Sequence, residues 1–275
     1  MPYIDENQFA DFMKGKRVAL VGPGAASSSI LQGDMLDSYD IIARIKTFYV
    51  PDAHRKFYGS RTDICYMSCD LPIGFDENGE IEFTFGLDDI LPGDTIEIKD
   101  GERKPILHPL NIQIRNETFV SALGIVVCPY PRSEWFFDRF EKHFDIISEF
   151  KNTRIIPDEP YMSVRKITNR PNTGFCALLD LVSLPVSEIY VTGIDFYRSL
   201  YRKNYVNSHW DATSIDEITK SSDGPDTHDP DAQFKYFKYK MYEVDNRIKV
   251  DPVLKKFLSD KKYESYKTAL GLTDE

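Results

Sequence analysis

No stretch of the 275-residue chain approaches the roughly 18 consecutive apolar residues that a spanning helix needs, and no apolar signal core opens it. Neither a signal peptide nor a membrane anchor is expected, so the reading is cytoplasmic, with at most peripheral contact at the inner membrane face. Cysteine is scarce: Cys65, Cys69, Cys128 and Cys176 lie in apolar runs without the spacing of a disulfide framework. Cys65 and Cys69 have no nearby histidine, which argues against zinc. Positive charge is in deficit, and a formal net charge of -10 argues against a general nucleic-acid surface. A local basic pocket for one nucleotide is still allowed. Repeats and low-complexity tracts are also absent, so 41% apolar and 28% charged residues fit one domain over 1–275 with an inserted lid.

What is present centres on one stretch, Arg170 to Tyr197. A Pro-Asn-Thr-Gly turn opens a helix in which Phe175, Leu178, Leu179 and Val182 fall at i, i+3, i+4 and i+7. Glu188 to Thr192 reads as a buried strand ending in Gly193, with Asp195, Phe196 and Tyr197 directly after it. A helix start presents free N–H groups, and ligands of open α/β sheets sit at the carboxyl ends of strands. Both point to one anion-binding cleft.

Arg17 to Val21 is a second buried strand, and it feeds the small-residue turn Gly22-Pro-Gly-Ala-Ala-Ser-Ser-Ser29. Such a turn lets backbone donors approach phosphate. As a dinucleotide fingerprint it fails at the third glycine, where Ser27 stands, and the next strand, Ile41 to Ile45, ends in Lys46 without the acidic ribose ligand. A nicotinamide-dependent oxidoreductase is thereby disfavoured.

Further strands are predicted over Thr62 to Met67, Gly124 to Cys128 and Arg247 to Val250. Residues 71–119 read as a hairpin-like insertion, with alternating runs at Thr95 to Lys99 and Asn111 to Arg115. Phe136, Phe140, Phe144, Ile147 and Phe150 mark a helix over Ser133 to Phe150. Residues 198–227 lack periodicity and read as a lid loop. A helix then follows His228, with Phe234, Phe237, Met241, Val244 and Ile248 on one face. From Pro252 a basic amphipathic tail helix carries Val253, Leu254, Phe257 and Leu258 inward. Its Lys255-Lys256 and Lys261-Lys262 pairs face solvent or an anionic membrane.

The central stretch, with its Thr-Gly helix start and a strand ending Gly-Ile-Asp-Phe-Tyr197, resembles the second sialyl motif of sialyltransferases. The similarity is to the bacterial enzymes of glycosyltransferase family 42 and, more distantly, to eukaryotic family 29. The first sialyl motif is similar to the first strand and its Gly-x-Gly turn, Ser38-Tyr-Asp40, the strand with Arg44, and Tyr58-Gly-Ser-Arg-Thr-Asp63. The chain departs from both families at Pro23 and Lys46, where they carry asparagines that contact the donor; Lys46 would hold phosphate as a point charge instead.

The resemblance implies an α/β fold with a single Rossmann-like, mostly parallel sheet flanked by helices, of GT-A-like sialyltransferase architecture. It implies a CMP-sugar donor of sialic acid or Kdo type, a glycan acceptor, and neither metal nor further cofactor. The acidic pair Asp88-Asp89 is accordingly left out as a metal site. By the same resemblance His228 is the general base and Tyr197 stabilises the leaving phosphate, with Tyr201 or Tyr205 as second tyrosine. Asn172, Thr173 and Gly174 hold the donor, together with Gly22, Pro23, Gly24, Ser27, Arg44, Lys46 and Asp195. His209 is the rival base, and a homo-oligomer is compatible with the sequence.

Overall fold

In a computed structural model the described residues are 3–46, 50, 52–67, 73–75, 81–83, 95–97, 103–105, 124–134, 137, 141, 144, 148, 152–202, 215, 216, 219 and 228–272. In chain order the strands are β1 (Arg17–Val21), β2 (Ile41–Ile45), β3 (Ile64–Tyr66), β4 (Ile73–Phe75), β5 (Ile81–Phe83), β6 (Thr95–Glu97), β7 (Arg103–Pro105), β8 (Ile125–Cys128), β9 (Asn152–Ile155), β10 (Glu188–Thr192) and β11 (Ile248–Val250). Seven of them form one open sheet in the order β11-β10-β1-β2-β3-β8-β9.

Every pairing in that sheet is parallel, where the sequence suggested only mostly parallel. Parallel sheets are covered on both faces, which is why their strands read as unbroken apolar runs. Val18, Leu20, Ala43, Ile64, Val126, Ile189 and Val191 join the larger core, while Ala19, Val21 and Ile42 face a second cluster with Leu36, Tyr39 and Tyr58. Within 71–119, β4 pairs with β5 and β6 with β7, both antiparallel, which gives two hairpins. The expected run at 111–115 lies outside the described residues.

The helix Thr173–Ser183 is buried at every position from Thr173 to Leu181, so it is a core helix and not the one-sided helix its spacing suggested. Asn172 caps it, accepting from the Phe175 N–H at 2.9 Å, an interaction worth about 1 kcal/mol. The helix Pro230–Tyr236 starts at Asp229, whose side chain accepts from the Ala232 N–H, and passes into a π-helical turn over Phe237–Tyr242. The wider turn breaks the 3.6-residue phase. Phe234, Phe237 and Met241 are buried as expected, whereas Val244 is 73% exposed.

Of the helix predicted over 133–150, Glu141, Phe144 and Ser148 are helical, Ser133, Glu134 and Phe137 lie in turns or a bend instead, and Phe136, Phe140, Ile147 and Phe150 lie outside the described residues. Elements the sequence reading did not anticipate include the helix Glu6–Met13, β9 and the helix Asp158–Thr168. In the segment read as a structureless lid, Ile215, Asp216 and Thr219 are helical. Among the described residues no helix is long and apolar enough to cross a membrane.

Candidate functional site

The chain leaves β1 towards β2 on one side of the sheet and β10 towards β11 on the other, so the strand order switches between β1 and β10. Ligands of open α/β sheets bind outside such a switch point. The turn Gly22–Gly24 and the turn Gly193–Asp195 meet there.

Their contact explains the glycines. A Cβ on Gly22 would lie 2.3 Å from the Gly193 carbonyl oxygen, and one on Gly24 would lie 2.6 Å from Asp195 Oδ2. Gly193 itself has φ +67°, and Asp251 Oδ2 braces it by accepting from its N–H and from Thr192 Oγ1. The amides expected to cradle phosphate are occupied within the protein. Gly22 N–H donates to Thr192 O, Gly24 N–H to Gly193 O, Ala25 N–H to Leu200 O, and Ala26 N–H to Ser199 Oγ. Ser27 is buried, its hydroxyl donating to Gly24 O. Pro23 is half-buried, and its carbonyl accepts from the Arg202 N–H. These residues hold the two turns against each other.

Arg44 is likewise internal. It is 1% exposed, and its guanidinium donates to Tyr58 O, Arg61 O and Thr62 Oγ1, all neutral acceptors. Burial, then the charge of Arg202, pushes its pKa down to about 9.

The remaining candidates converge. His228 forms an antiparallel bridge with Asn169, and its Nδ1 lies 2.8 Å from the Arg170 carbonyl oxygen. A carbonyl only accepts, so Nδ1 carries the proton and the Nε2 lone pair is left for chemistry. Burial, the Arg170 charge and the Lys46 charge all disfavour the imidazolium, and the pKa falls to about 3. His228 is therefore neutral at physiological pH.

Tyr197 is 8% exposed, and its ring centroid lies 6.2 Å from that of Tyr201. Burial raises its pKa, while hydrogen bonds from Tyr201 and Asn172 and the charge of Arg170 counter that rise. Asn172 thus serves twice, as helix cap and as partner of the phenol. Thr173 is buried and hydrogen-bonded to Tyr130. Gly174 is buried beside Ile194. Asp195 is buried and accepts from Ser199 Oγ, and burial pushes its pKa up to about 7. Tyr205 and His209 lie outside the described residues.

Backbone strain concentrates at the same place. Among the described residues the non-glycine positions with positive φ are Lys46 (57°), Asn169 (54°), Phe196 (53°) and Tyr197 (63°). Each costs on the order of 1–3 kcal/mol and persists only where surroundings over-determine it, as at functional sites.

Sequence reasoning passed over three side chains here. Arg170 sets the local field at both Tyr197 and His228. Arg202 places its guanidinium over the Tyr58 ring, 4.0 Å from the centroid. Gln233 is fully buried and bonded to the Arg170 turn. Its signal was legible, because it is an amide at i+3 on the apolar stripe Pro230, Phe234, Phe237. Among the described residues no cluster of three or more His, Cys, Asp or Glu is placed to hold a metal ion.

No protein-family model matches the chain, and no curated protein sequence matches it. Among solved structures it is similar to a mammalian sialyltransferase in complex with Gal-beta-1-3GalNAc-ortho-nitrophenol, at 11% identity and a TM-score of 0.47, over 90% of this chain and 73% of that one. The likeness is distant and assigns no residue a role.

Proposed function

We propose that the chain is a metal-independent, inverting glycosyltransferase that moves an acidic sugar, of sialic acid or Kdo type, from a CMP-sugar to a glycan hydroxyl. The observation that carries this reading is the convergence of a neutral, oriented His228 and a buried Tyr197 on one turn, Arg170 to Asn172.

In this reading the acceptor oxygen attacks the anomeric carbon as the bond to the donor phosphate breaks. The acceptor proton passes to His228 Nε2, and the bonding electrons leave on the phosphate oxygen. Tyr197, a phenol whose pKa burial raises further above 10.0, is protonated at neutral pH and donates to that oxygen. Tyr201, beside it, serves as the second tyrosine. Lys46 and Arg170 supply positive charge, and Asn172 and Asp195 take the rest of the donor. A pKa near 3 makes a weak base, yet two of its causes are cations. A bound phosphate offsets both, so the imidazole gains basicity when the donor arrives.

The test is transfer from CMP-sialic acid or CMP-Kdo by His228→Ala. Removing a general base lowers transfer by about 10²–10⁴-fold while CMP binding persists. Full transfer by that variant removes the proposed base.

A second reading, a non-catalytic nucleotide-binding module of the same fold, is favoured by the occupied amides of the Gly22–Ala26 turn. It is separated by CMP release from the donor over hours, which a binding module does not produce. A thermal-shift panel of CMP, CDP, UDP, GDP and NAD identifies the nucleotide under either reading.

A further inference from the structure

Gln233 is fully buried on the first turn of the helix that follows His228, and it meets the Arg170–Asn172 turn with both ends of its amide. Its Nε2 donates to the Arg170 carbonyl at 3.1 Å, the same oxygen that His228 Nδ1 reaches at 2.8 Å. Its Oε1 accepts from the Asn172 N–H at 3.4 Å. The amide has one workable orientation, since a flip would set oxygen against oxygen and N–H against N–H.

The two contacts lead to different partners. The carbonyl of Arg170 fixes the imidazole, whereas Asn172 hydrogen-bonds to Tyr197 and caps the Thr173–Ser183 helix. Resting on the transferase reading, we propose that Gln233 is the positioning residue that holds base and leaving-group tyrosine in register, by clamping the one turn both depend on. It touches neither substrate nor the reacting atoms. Its action runs through the Arg170 peptide on one side and through Asn172 on the other.

Side-chain chemistry limits what can replace it. Glutamate keeps the acceptor for Asn172 but turns an ionised oxygen towards the Arg170 carbonyl. Methionine keeps most of the volume and loses both bonds. Asparagine is one methylene too short to span both contacts.

The experiment uses the full chain and two readouts. The first is the tautomer of His228 by nitrogen-15 NMR, which does not depend on activity. The Nδ1–H form is expected in the wild type. Gln233→Glu and Gln233→Met are expected to show both tautomers in exchange, because the carbonyl has lost its second hold. The second readout is steady-state transfer. Gln233→Glu is expected to lower kcat by about 100-fold, as misplacement on the ångström scale does, with KM for the donor within a few-fold. Gln233→Met is expected to lower kcat similarly and to raise KM as well, since Asn172 is also released.

A wild-type tautomer in Gln233→Glu, or a wild-type kcat in it, overturns the proposal. If Gln233→Met does not fold, the split between kcat and KM in Gln233→Glu decides alone. If the wild type transfers no sugar, the transferase reading fails, and an unchanged tautomer in either variant separately refutes the clamp.

Discussion

Two buried arginines show how differently one fold can surround a buried charge. Arg154, on β9, lies fully buried against Asp180 with two contacts of 2.7 Å, while Tyr66 donates to the same carboxylate and Glu6 closes the outer side. Burial alone would lower its pKa, but those carboxylates outweigh it and the net shift is upward. Arg44, on β2, is as deeply buried, yet its partners are carbonyls and one hydroxyl, and its pKa falls to about 9. Its Nη1 and the Tyr58 hydroxyl make no hydrogen bond.

The first cluster is closed on itself, and any ligand would find its charges already matched. The second belongs to an edge where Lys46, Arg170 and Arg202 also gather, on a chain whose formal charge is -10. The Asp37 and Asp63 carboxylates offset only part of the burial cost at Arg44, so its net shift stays downward. Strain gathers at the same edge, on Lys46, Asn169, Phe196 and Tyr197.

The sharpest way to break the comparison is to open the closed cluster. Asp180→Asn leaves Arg154 buried with a neutral partner and is expected to cost about 3–5 kcal/mol in urea unfolding. CMP should not restore the loss. Replacing both residues, Arg154→Met with Asp180→Leu, is expected to cost far less, because no charge is left unmatched.

The next largest effect concerns the floor of the open edge. Gly193→Ala meets the Gly22 carbonyl oxygen at 2.6 Å and needs φ +67°, so a loss on the order of 2–4 kcal/mol is expected, with CMP binding weakened too. Wild-type stability would show that the two turns can part without cost.

Acid titration sharpens the contrast further. The folded-state pKa of His228 is depressed, so its contribution to stability is present above pH 6.5 and is lost as pH falls towards 3. For Asp195 the folded value is raised, so its contribution is present below pH 3.8 and is lost as pH rises through about 7. The two slopes oppose each other between pH 4 and 6.5. Asp195→Asn is therefore expected to raise stability at pH 8 and to steepen the loss on acidification; a pH-independent offset contradicts the assignment.

The smallest expected effect is that of Tyr58→Phe. Removing a buried hydroxyl without a partner is expected to be neutral or stabilising by up to about 1 kcal/mol, whereas Tyr66→Phe removes a bond to Asp180 and costs about 1–3 kcal/mol. Chemical denaturation of the pair reads the difference.

Much of this edge was legible in the residues, though not for the reasons first suggested. Glycines 22 and 24 read as a phosphate cradle, but they, like Gly193 at the strand end, are required by the close crossing of two turns of the chain. Small residues signal close approach without naming what approaches. Arg44 read as a strand-end ligand, and its burial depends on the contacts with Tyr58, Arg61 and Thr62, which only folding brings to it. Tyr197 and His228 were visible through their places after a strand and before a helix. Their common dependence on the Arg170 turn was not, because it runs through main-chain groups, which every residue shares. Val244 misled because a π turn resets helical phase without a compositional mark.

The most direct test is the titration of the His228 imidazole by NMR, in the free chain and at saturating CMP. A pKa far below 6.5 is expected in the free chain, with a rise of more than one unit once phosphate offsets Arg170 and Lys46. A value that stays near 6.5 in both states, or does not respond to CMP, contradicts the role proposed for His228.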